Sequence, residues 1–297
     1  MKSIQSSFTD EILNKAKQAR IRMLGDLSSC IDGKMRQNSR SYKVPLLYSR
    51  IIKPDSYTEQ DTLCYTFGSG EKCVFYLHGG SYVYQPMVFH WRFLQKLYKA
   101  ANVSVVFPIY NKAPRYTCET VVPQVAGLLQ TVLKKYGKDN VYVMGDSAGG
   151  GLAVAVSKYC ADNGLQLPAS LTLFSPWLDV SMRNPEIQRY LDGDYMLYLP
   201  ELMLYGTSYR GNVDRDDYRV YGVDVADEKF PPTDIFVGSA DMLFPDCLLF
   251  KHNADKKGAK VRLYEFPHMQ HVFALMPIPE GTEVFRYVTD MLTARQN

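Results

Sequence analysis

Short apolar runs alternate with helical patterns through most of this chain. The β-rich runs are Leu46–Ile52, Leu63–Phe67, Cys73–Leu77, Val103–Pro108, Val141–Met144, Leu171–Phe174, Ile235–Val237 and Val261–Phe266. The helical patterns between them cover residues 88–100, 118–136, 148–163, 245–257 and 280–294. The runs from Val103 onward are almost continuously apolar, as is typical of strands buried on both faces. This alternation predicts an α/β fold with a mostly parallel central sheet and helices on both faces.

Two segments depart from the alternation. Residues 7–24 predict an amphipathic helix before any strand, because apolar side chains recur at helical spacing among charged ones: Phe8, Ile12, Ala16, Ile21 and Met23. Residues 181–230 are rich in Tyr, Asp and Arg, with one modest helical pattern at 199–208. We interpret the second segment as an insertion into the strand–helix alternation.

Charge and cysteine content exclude several classes of protein. The 34 Lys and Arg residues against 31 Asp and Glu form no long block of one sign, so we expect no nucleic-acid partner. The chain has no C-x-x-C pair, and we expect reduced, cytosolic thiols at all six cysteines: Cys30, Cys64, Cys73, Cys118, Cys160 and Cys247.

The sequence carries neither a secretory signal nor a membrane-spanning segment that we recognise. The first residues are polar and of mixed charge, unlike a secretory signal. The longest apolar runs, such as Val103–Tyr110, are far shorter than the roughly 18 residues of a membrane-spanning helix. We therefore expect no membrane span and a cytoplasmic location.

A G-x-S-x-G motif, Gly145–Gly149, lies between a predicted strand and a predicted helix. A nucleophile elbow needs this strand–turn–helix setting, because glycines on either side let a serine on a strained turn present its hydroxyl to a cleft. The motif predicts that Ser147 is a nucleophile, supported by Gly145 and Gly149.

A second glycine-rich motif, His78-Gly79-Gly80-Ser81, follows the strand Cys73–Leu77. It resembles the H-G-G-G motif whose backbone N–H groups bind an oxyanion in esterases. Ser81 departs from that motif, and its side chain is disfavoured if the position requires a positive φ. His78 belongs to this loop and is a better candidate for support than for the base.

A serine nucleophile also needs a base and a group that orients it. Of the five histidines, His90 and His252 lie in helical patterns, whereas His268 and His271 follow the last predicted strand. We favour His271 over His268 as the base. For the acid we favour Asp241, just beyond the strand Ile235–Val237, over Asp246, which fits a cap or a charge in the first turn of the next helix.

The chain resembles the hormone-sensitive-lipase-like, or bacterial family IV, esterases of the α/β-hydrolase superfamily from about residue 40 to its end. The matching blocks are His78-Gly79-Gly80, Tyr110 with Ala113-Pro114, Gly145–Gly150, Ser175–Asp179, Pro231-Pro232-Thr233 with Asp241-Met242-Leu243, and His271-Val272-Phe273. The resemblance implies Ser147, Asp241 and His271 as the triad. It also implies an oxyanion hole at the backbone of Gly80, Ser81 and Ala148, supported by His78 and Gly79.

The resemblance further implies a single α/β-hydrolase domain over residues 1–297 with a small helical cap formed by residues 1–45 and about 181–230. The expected activity is hydrolysis of small to medium acyl esters, with a small-molecule ester as partner and neither a metal nor an organic cofactor. Amide or peptide hydrolysis by the same triad stays open, as does a non-catalytic ligand-binding protein on the same fold. The natural substrate and the oligomeric state are not predicted.

Overall fold

The computed structural model describes residues 2–24 and 27–294. Its eight-stranded sheet has the strand order β1-β2-β4-β3-β5-β6-β7-β8, with strands parallel from β4 to β8 and antiparallel pairing of β1 with β2 and of β2 with β4. The strands are β1 (Asp55–Glu59), β2 (Thr62–Phe67), β3 (Cys73–Leu77), β4 (Ser104–Ile109), β5 (Val141–Asp146), β6 (Ser170–Phe174), β7 (Thr233–Gly238) and β8 (Val261–Phe266). The predicted α/β fold with a mostly parallel sheet is confirmed.

Helices cover both faces of the sheet. They are α1 (Ile4–Leu24), α2 (Leu27–Asn38), α3 (Leu46–Ile51), α4 (Val88–Ala101), α5 (Cys118–Tyr136), α6 (Ala148–Asp162), α7 (Leu199–Arg210), α8 (Phe244–Lys256) and α9 (Pro279–Thr293). Alternate residues of β3 point to opposite faces of the sheet and belong to two apolar cores. Phe75 lies in the core that includes residues of α5, α6 and α8, whereas Val74 lies in the core that includes residues of α4 and α9. Strands buried on both faces are the physical reason that the sequence shows continuous apolar runs.

One predicted strand is wrong. Residues 46–52 form the short helix α3 instead, preceded by Pro45. Leu46, Leu47 and Ile51 are exposed while Tyr48 is buried, so the run does not cover a sheet face. The other predicted strands and helices are present, with ends that differ by at most three residues.

The sequence did not predict β1, which is polar and lies at the edge of the sheet. Among the described strands it pairs with β2 alone, and its residues are exposed or half-buried. Gln60 and Asp61 join the two strands, and both have positive φ values, 48° and 53°. Such a two-residue turn suits a hairpin, because its twist matches that of the strands.

The N-terminal helix α1 is held mainly by polar contacts. Phe8 and Ile12, which the sequence pattern places on an apolar face, are 64% and 52% exposed. At its start, Ser3 donates its backbone N–H to Glu280 at 2.9 Å, and at its end Arg20 donates to the carbonyl of Met196 at 2.7 Å. The helix thereby joins the start of α9 to the insertion.

The insertion packs on the loop that follows β3. Its α7 places Tyr209 face to face with Tyr82, with ring centroids 3.5 Å apart. Glu201, also on α7, accepts a hydrogen bond from the hydroxyl of Tyr84 at 2.9 Å. Among the described helices, none has both the length and the apolar character needed to cross a membrane.

Candidate active site

Ser147 occupies a strained turn between β5 and α6. Its backbone angles are φ 52° and ψ −123°, outside the regions that a residue with a side chain ordinarily adopts. Backbone bonds fix this conformation: its N–H donates to the carbonyl of Phe174 at 2.9 Å, and its carbonyl accepts from Trp177 at 2.9 Å. Strain of this kind persists only where the surroundings over-determine it, as they do here.

The glycines of the motif let the helix approach the strand closely. A Cβ atom on Gly149 would lie 2.0 Å from the carbonyl oxygen of Leu77, and one on Gly145 would lie 2.6 Å from the carbonyl oxygen of Gly149. Any larger residue would displace α6 from β3 and β5. Only glycine therefore fits at positions 145 and 149, two residues before and two residues after Ser147.

Ser147, His271 and Asp241 form one hydrogen-bonded chain. The Oγ of Ser147 lies 2.9 Å from Nε2 of His271, and Nδ1 of His271 lies 2.9 Å from Oδ2 of Asp241. A carboxylate can only accept, so Nδ1 carries the proton and neutral His271 presents its Nε2 lone pair to the serine hydroxyl. All three residues are buried, and Ser147 retains only 6% of its exposure.

The electrostatics of His271 favour the uptake of a proton. Burial opposes the charged imidazolium, but the negative charges of Asp241, Asp194 and Asp146 outweigh it and raise the pKa of His271 above its usual value. A raised pKa makes His271 a stronger base toward the serine hydroxyl.

Both loops that carry these residues have fixed backbones. Oδ1 of Asp241 accepts from the backbone N–H of Leu243 at 2.9 Å, which leaves Oδ2 for His271. After His271, Val272 takes a positive φ of 54° and donates its N–H to Oγ of Ser175 at 3.1 Å. The side chains of Asp241 and His271 therefore meet in one orientation.

The alternative candidates lie elsewhere. Asp246 is in the first turn of α8, as predicted, and accepts from the side-chain amide of Asn184 at 2.9 Å. His268 is exposed, and its backbone donates to Ser239 and accepts from Lys2. His252 is exposed on α8.

The loop after β3 brings backbone N–H groups near Ser147. A Cβ atom on Gly79 would lie 3.0 Å from Cβ of Ser147. Among the described residues, none accepts a hydrogen bond from the N–H of Gly80 or Ser81. Ala148 is the first residue of α6, where N–H groups have no acceptor within the helix. Ser81 has a φ of 51°, the positive value that disfavours a side chain.

A second buried pair, His90 and Asp146, supports this loop. Oδ1 of Asp146 accepts from the N–H of Gly79 and from the hydroxyl of Tyr76, both at 2.9 Å. Nε2 of His90 lies 3.2 Å from Oδ2 of Asp146, and its Nδ1 accepts from the N–H of Met87 at 2.9 Å. His90 lies in a predicted helical pattern, and the structure buries its side chain in the core.

His78, predicted as a supporting residue, is held in the same region. Its Nδ1 donates to the carbonyl of Gly79 at 2.6 Å, and its own carbonyl accepts from the hydroxyl of Tyr110 at 2.8 Å. Burial, together with the positive charge of Lys112, lowers the pKa of His78 well below its usual value. A neutral ring stacked on Tyr110 stiffens the loop and does not serve as the base.

Sequence reasoning missed Asp194 and Gln270, which touch the loops of Asp241 and His271. Asp194 accepts from the N–H of Met242, and Gln270 bonds the backbone on either side of Asp194. Neither residue lies in a recognisable motif, and the position of Gln270 next to His271 is the only available signal. Among the described residues, no group of three or more His, Cys, Asp and Glu side chains is placed to hold a metal ion.

This chain is similar to known proteins in both sequence and structure. The α/β-hydrolase fold family matches residues 74–275. A triacylglycerol lipase of Mycobacterium tuberculosis is 31% identical over 238 residues, which are 78% of this chain and 50% of the lipase. This chain thus spans half the length of that relative.

Two crystal structures extend the likeness to three dimensions. A Staphylococcus aureus protein assigned as an esterase superposes with a TM-score of 0.86 at 25% identity, over 91% of this chain and 93% of that one. An esterase from the bacterial hormone-sensitive lipase family superposes with a TM-score of 0.75 at 22% identity, over 89% of this chain and 96% of that one. The chain belongs to the α/β-hydrolase family, and its fold is that of the hormone-sensitive-lipase-like esterases.

Proposed function

We propose that this chain is a serine carboxylesterase that hydrolyses small to medium acyl esters through an acyl-enzyme intermediate. The observation that carries the proposal is the chain of hydrogen bonds from Ser147 through His271 to Asp241. Relatives described as a lipase and an esterase support ester hydrolysis as the reaction class. A non-catalytic binding protein would not need this arrangement.

In the proposed mechanism, Oγ of Ser147 attacks the ester carbonyl while Nε2 of His271 takes the hydroxyl proton. The carbonyl π electrons move to oxygen, and the N–H groups of Gly80, Ser81 and Ala148 bind that oxyanion. Each such donor is worth about 3 kcal/mol in the transition state. The alkoxide then leaves with the proton from His271, and the acyl group stays on Ser147.

Water completes the cycle. His271 removes a proton from the water, which attacks the acyl-enzyme, and the collapse returns the proton to Ser147 and releases the carboxylic acid. Asp241 keeps the proton on Nδ1 and stabilises the imidazolium formed in both halves. No step of this proposal uses a metal or an organic cofactor.

We also propose that residues 1–45 and 181–230 act as a cap on one α/β-hydrolase domain. Its support is that Arg20 of α1 donates to the carbonyl of Met196 in the insertion, and that Tyr209 of α7 stacks on Tyr82 in the loop after β3. The low exposure of Ser147 favours small or medium acyl groups.

A cytoplasmic location is proposed because the five cysteines whose side chains are described are unpaired thiols: Cys64, Cys73, Cys118, Cys160 and Cys247. The side chain of Cys30 lies outside the described residues.

The test is hydrolysis of p-nitrophenyl esters by the wild type and Ser147→Ala. We expect the variant to fold and to lose several orders of magnitude in kcat/KM, because only binding and the oxyanion hole remain. Ser157→Ala is the matched control, since Ser157 is buried in α6 and its Oγ has no hydrogen-bond partner among the described residues. Retention of a tenth of the activity by pure Ser147→Ala would reject the proposal.

Three further assays test the nucleophile and define the substrate. An organophosphate should add one label to the wild type and none to Ser147→Ala, as measured by the mass of each intact protein before and after treatment. A series from acetate to dodecanoate should show a fall of about tenfold or more in kcat/KM for the longest chain. A p-nitroanilide of the best acyl group tests amide hydrolysis, and an anilide rate equal to the ester rate would favour an amidase.

A further inference from the structure

Asp194 of the insertion is the least expected group near the proposed triad. It has no exposed surface, and both of its carboxylate oxygens are bonded. Oδ1 accepts from the N–H groups of Met196 and Leu197, both at 2.8 Å. Oδ2 crosses to the catalytic domain and accepts from the N–H of Met242 at 2.9 Å.

The contact with Met242 fixes the turn that carries Asp241. Met242 follows Asp241 directly, and the next N–H, that of Leu243, donates to Oδ1 of Asp241. Two carboxylates therefore bind consecutive N–H groups of one turn. Loss of the bond to Asp194 would free the turn on the side that aims Oδ2 of Asp241 at His271.

The neighbours of Asp194 hold the loop that carries His271. Oε1 of Gln270 accepts from the N–H of Tyr195 at 2.7 Å, and its Nε2 donates to the carbonyl of Gly193 at 3.0 Å. Gln270 immediately precedes His271. The five-residue segment Gly193–Leu197 thus contacts both the acid turn and the base loop.

Among the described residues, no lysine or arginine side chain pairs with the carboxylate of Asp194. Lys17 and Arg20 approach from α1, but they donate to the main-chain carbonyls of Asp194 and Met196. Both carboxylate oxygens accept N–H bonds, and a carboxyl proton would have no acceptor in this arrangement. The geometry therefore favours the ionised form, with Asp241 and His271 as the titratable neighbours on the catalytic side.

The pKa of Asp194 is raised, because burial and then the charge of Asp241 oppose ionisation, whereas His271 and the N–H groups of Leu197 and Met242 favour it. The ionised form is inferred from the three N–H groups that donate to the carboxylate. Burial lowers the pKa of His271, and Asp194 is among the groups that raise it, after Asp241. Asp192, two residues before Asp194, is exposed, and its negative charge acts to raise the pKa of Lys17.

We propose that Asp194 is a positioning residue for the triad: it holds the Asp241 turn and adds a second negative charge that stabilises the His271 imidazolium. The proposal rests on the serine mechanism proposed above. A local turn within the insertion needs only one side-chain oxygen as acceptor, which asparagine also supplies. The second carboxylate oxygen, Oδ2, binds the N–H of Met242 in the turn that carries Asp241, and the negative charge stabilises the imidazolium form of His271.

The test compares Asp194→Asn with the matched control Asp192→Asn, each measured as kcat, KM and the pH profile of kcat/KM. Asparagine keeps the shape and the bonds within the insertion but removes the charge. We expect a kcat lower by about 10- to 100-fold, as for small misplacements of catalytic groups, with KM little changed. The acid limb of kcat/KM should move to lower pH in Asp194→Asn and stay in place in Asp192→Asn.

A purely structural role would lower the melting temperature without moving the acid limb. A folded Asp194→Asn with the wild-type acid limb, or with kcat within twofold of wild type, would therefore overturn the proposal. Gln270→Leu is the second variant in case Asp194→Asn does not fold. It removes the contacts with Gly193 and Tyr195 but no charge, so kcat should fall about three- to tenfold with an unmoved acid limb. An unchanged kcat in Gln270→Leu would reject the positioning by this segment.

Ser147→Ala separates this inference from the proposed function. If Ser147→Ala remains active, the serine mechanism itself fails. If Ser147→Ala is inactive while Asp194→Asn and Gln270→Leu match wild type, only the role of Asp194 is rejected.

Discussion

Two buried histidine–aspartate pairs lie next to Ser147, one formed by His271 and Asp241 and the other by His90 and Asp146. In both pairs one ring nitrogen faces a carboxylate within hydrogen-bond distance. The second nitrogen differs. In His90 it accepts from the N–H of Met87, whereas in His271 it faces the hydroxyl of Ser147.

The comparison explains why His271 and not His90 is proposed as the base, since both are buried and both face a carboxylate. The Nδ1 lone pair of His90 is occupied by a backbone N–H, and its Nε2 proton points to Asp146, so the ring has no lone pair for a proton. His90 instead connects the start of α4 to the loop of Gly79 through Asp146. His271 differs because its Nε2 lone pair faces the hydroxyl of Ser147, from which it can take a proton.

The largest expected difference is between His271→Gln and His90→Gln. His271→Gln should lower kcat/KM by about four to six orders of magnitude, as removal of the base does in serine hydrolases. His90→Gln should mainly lower stability, by about 1–3 kcal/mol, because it leaves buried polar groups poorly paired. Steady-state kinetics and thermal unfolding measure the two effects.

His268→Gln is the control for the base, since His268 lies in the same loop with an exposed side chain. It should keep kcat/KM within about twofold of wild type, as exposed substitutions usually do. Loss of activity in His268→Gln with an active His271→Gln would mean that the base is misassigned.

The carboxylates extend the comparison. Asp241→Asn should cost about 10⁴ in kcat/KM, because an amide in place of the carboxylate favours the wrong tautomer of His271. Asp146→Asn can still accept from Gly79 and Tyr76 through Oδ1 and should cost less than about a hundredfold. Equal losses in the two variants, each measured at constant folded fraction, would remove the distinction between the pairs.

The pH profile tests the raised pKa of His271. Proton removal from Ser147 requires neutral His271, so kcat/KM should fall about tenfold per pH unit below the pKa of the free enzyme. Because the net effect of burial and the surrounding carboxylates is to raise that pKa, the acid limb should lie above pH 6.5, the ordinary value for histidine. An acid limb below that pH would contradict the electrostatic account.

The sequence predicted the parts of the molecule that have local signals. Ser147 lies in a motif whose glycines are required by close packing, and Asp241 and His271 follow strands whose carboxyl ends share one edge of the sheet. Asp194 had no such signal, because its contact with Met242 joins residues 48 positions apart. The helix α3 was mistaken for a strand because four of its six residues are apolar or aromatic, whatever their exposure.

The smallest expected effect concerns Ser81, where the oxyanion loop departs from its motif. Its φ of 51° costs a residue with a side chain about 1 kcal/mol, and glycine removes that cost while keeping the N–H. Among the described residues, none shares a hydrogen bond with the Ser81 hydroxyl. If only the N–H acts, Ser81→Gly should change kcat/KM by less than about tenfold, or about 1.4 kcal/mol.

Ser81→Ala separates the hydroxyl from the backbone, because it removes the Oγ and keeps the side-chain strain. With the backbone account, Ser81→Ala and Ser81→Gly both stay within about tenfold of wild type on a short acyl ester, and Ser81→Gly unfolds at the same or a higher temperature. If the hydroxyl itself binds the oxyanion, both variants should lose about 10²- to 10³-fold, as when a side-chain donor is deleted. A loss beyond a hundredfold in both variants at unchanged melting temperature would therefore move the donor from the backbone of Ser81 to its side chain.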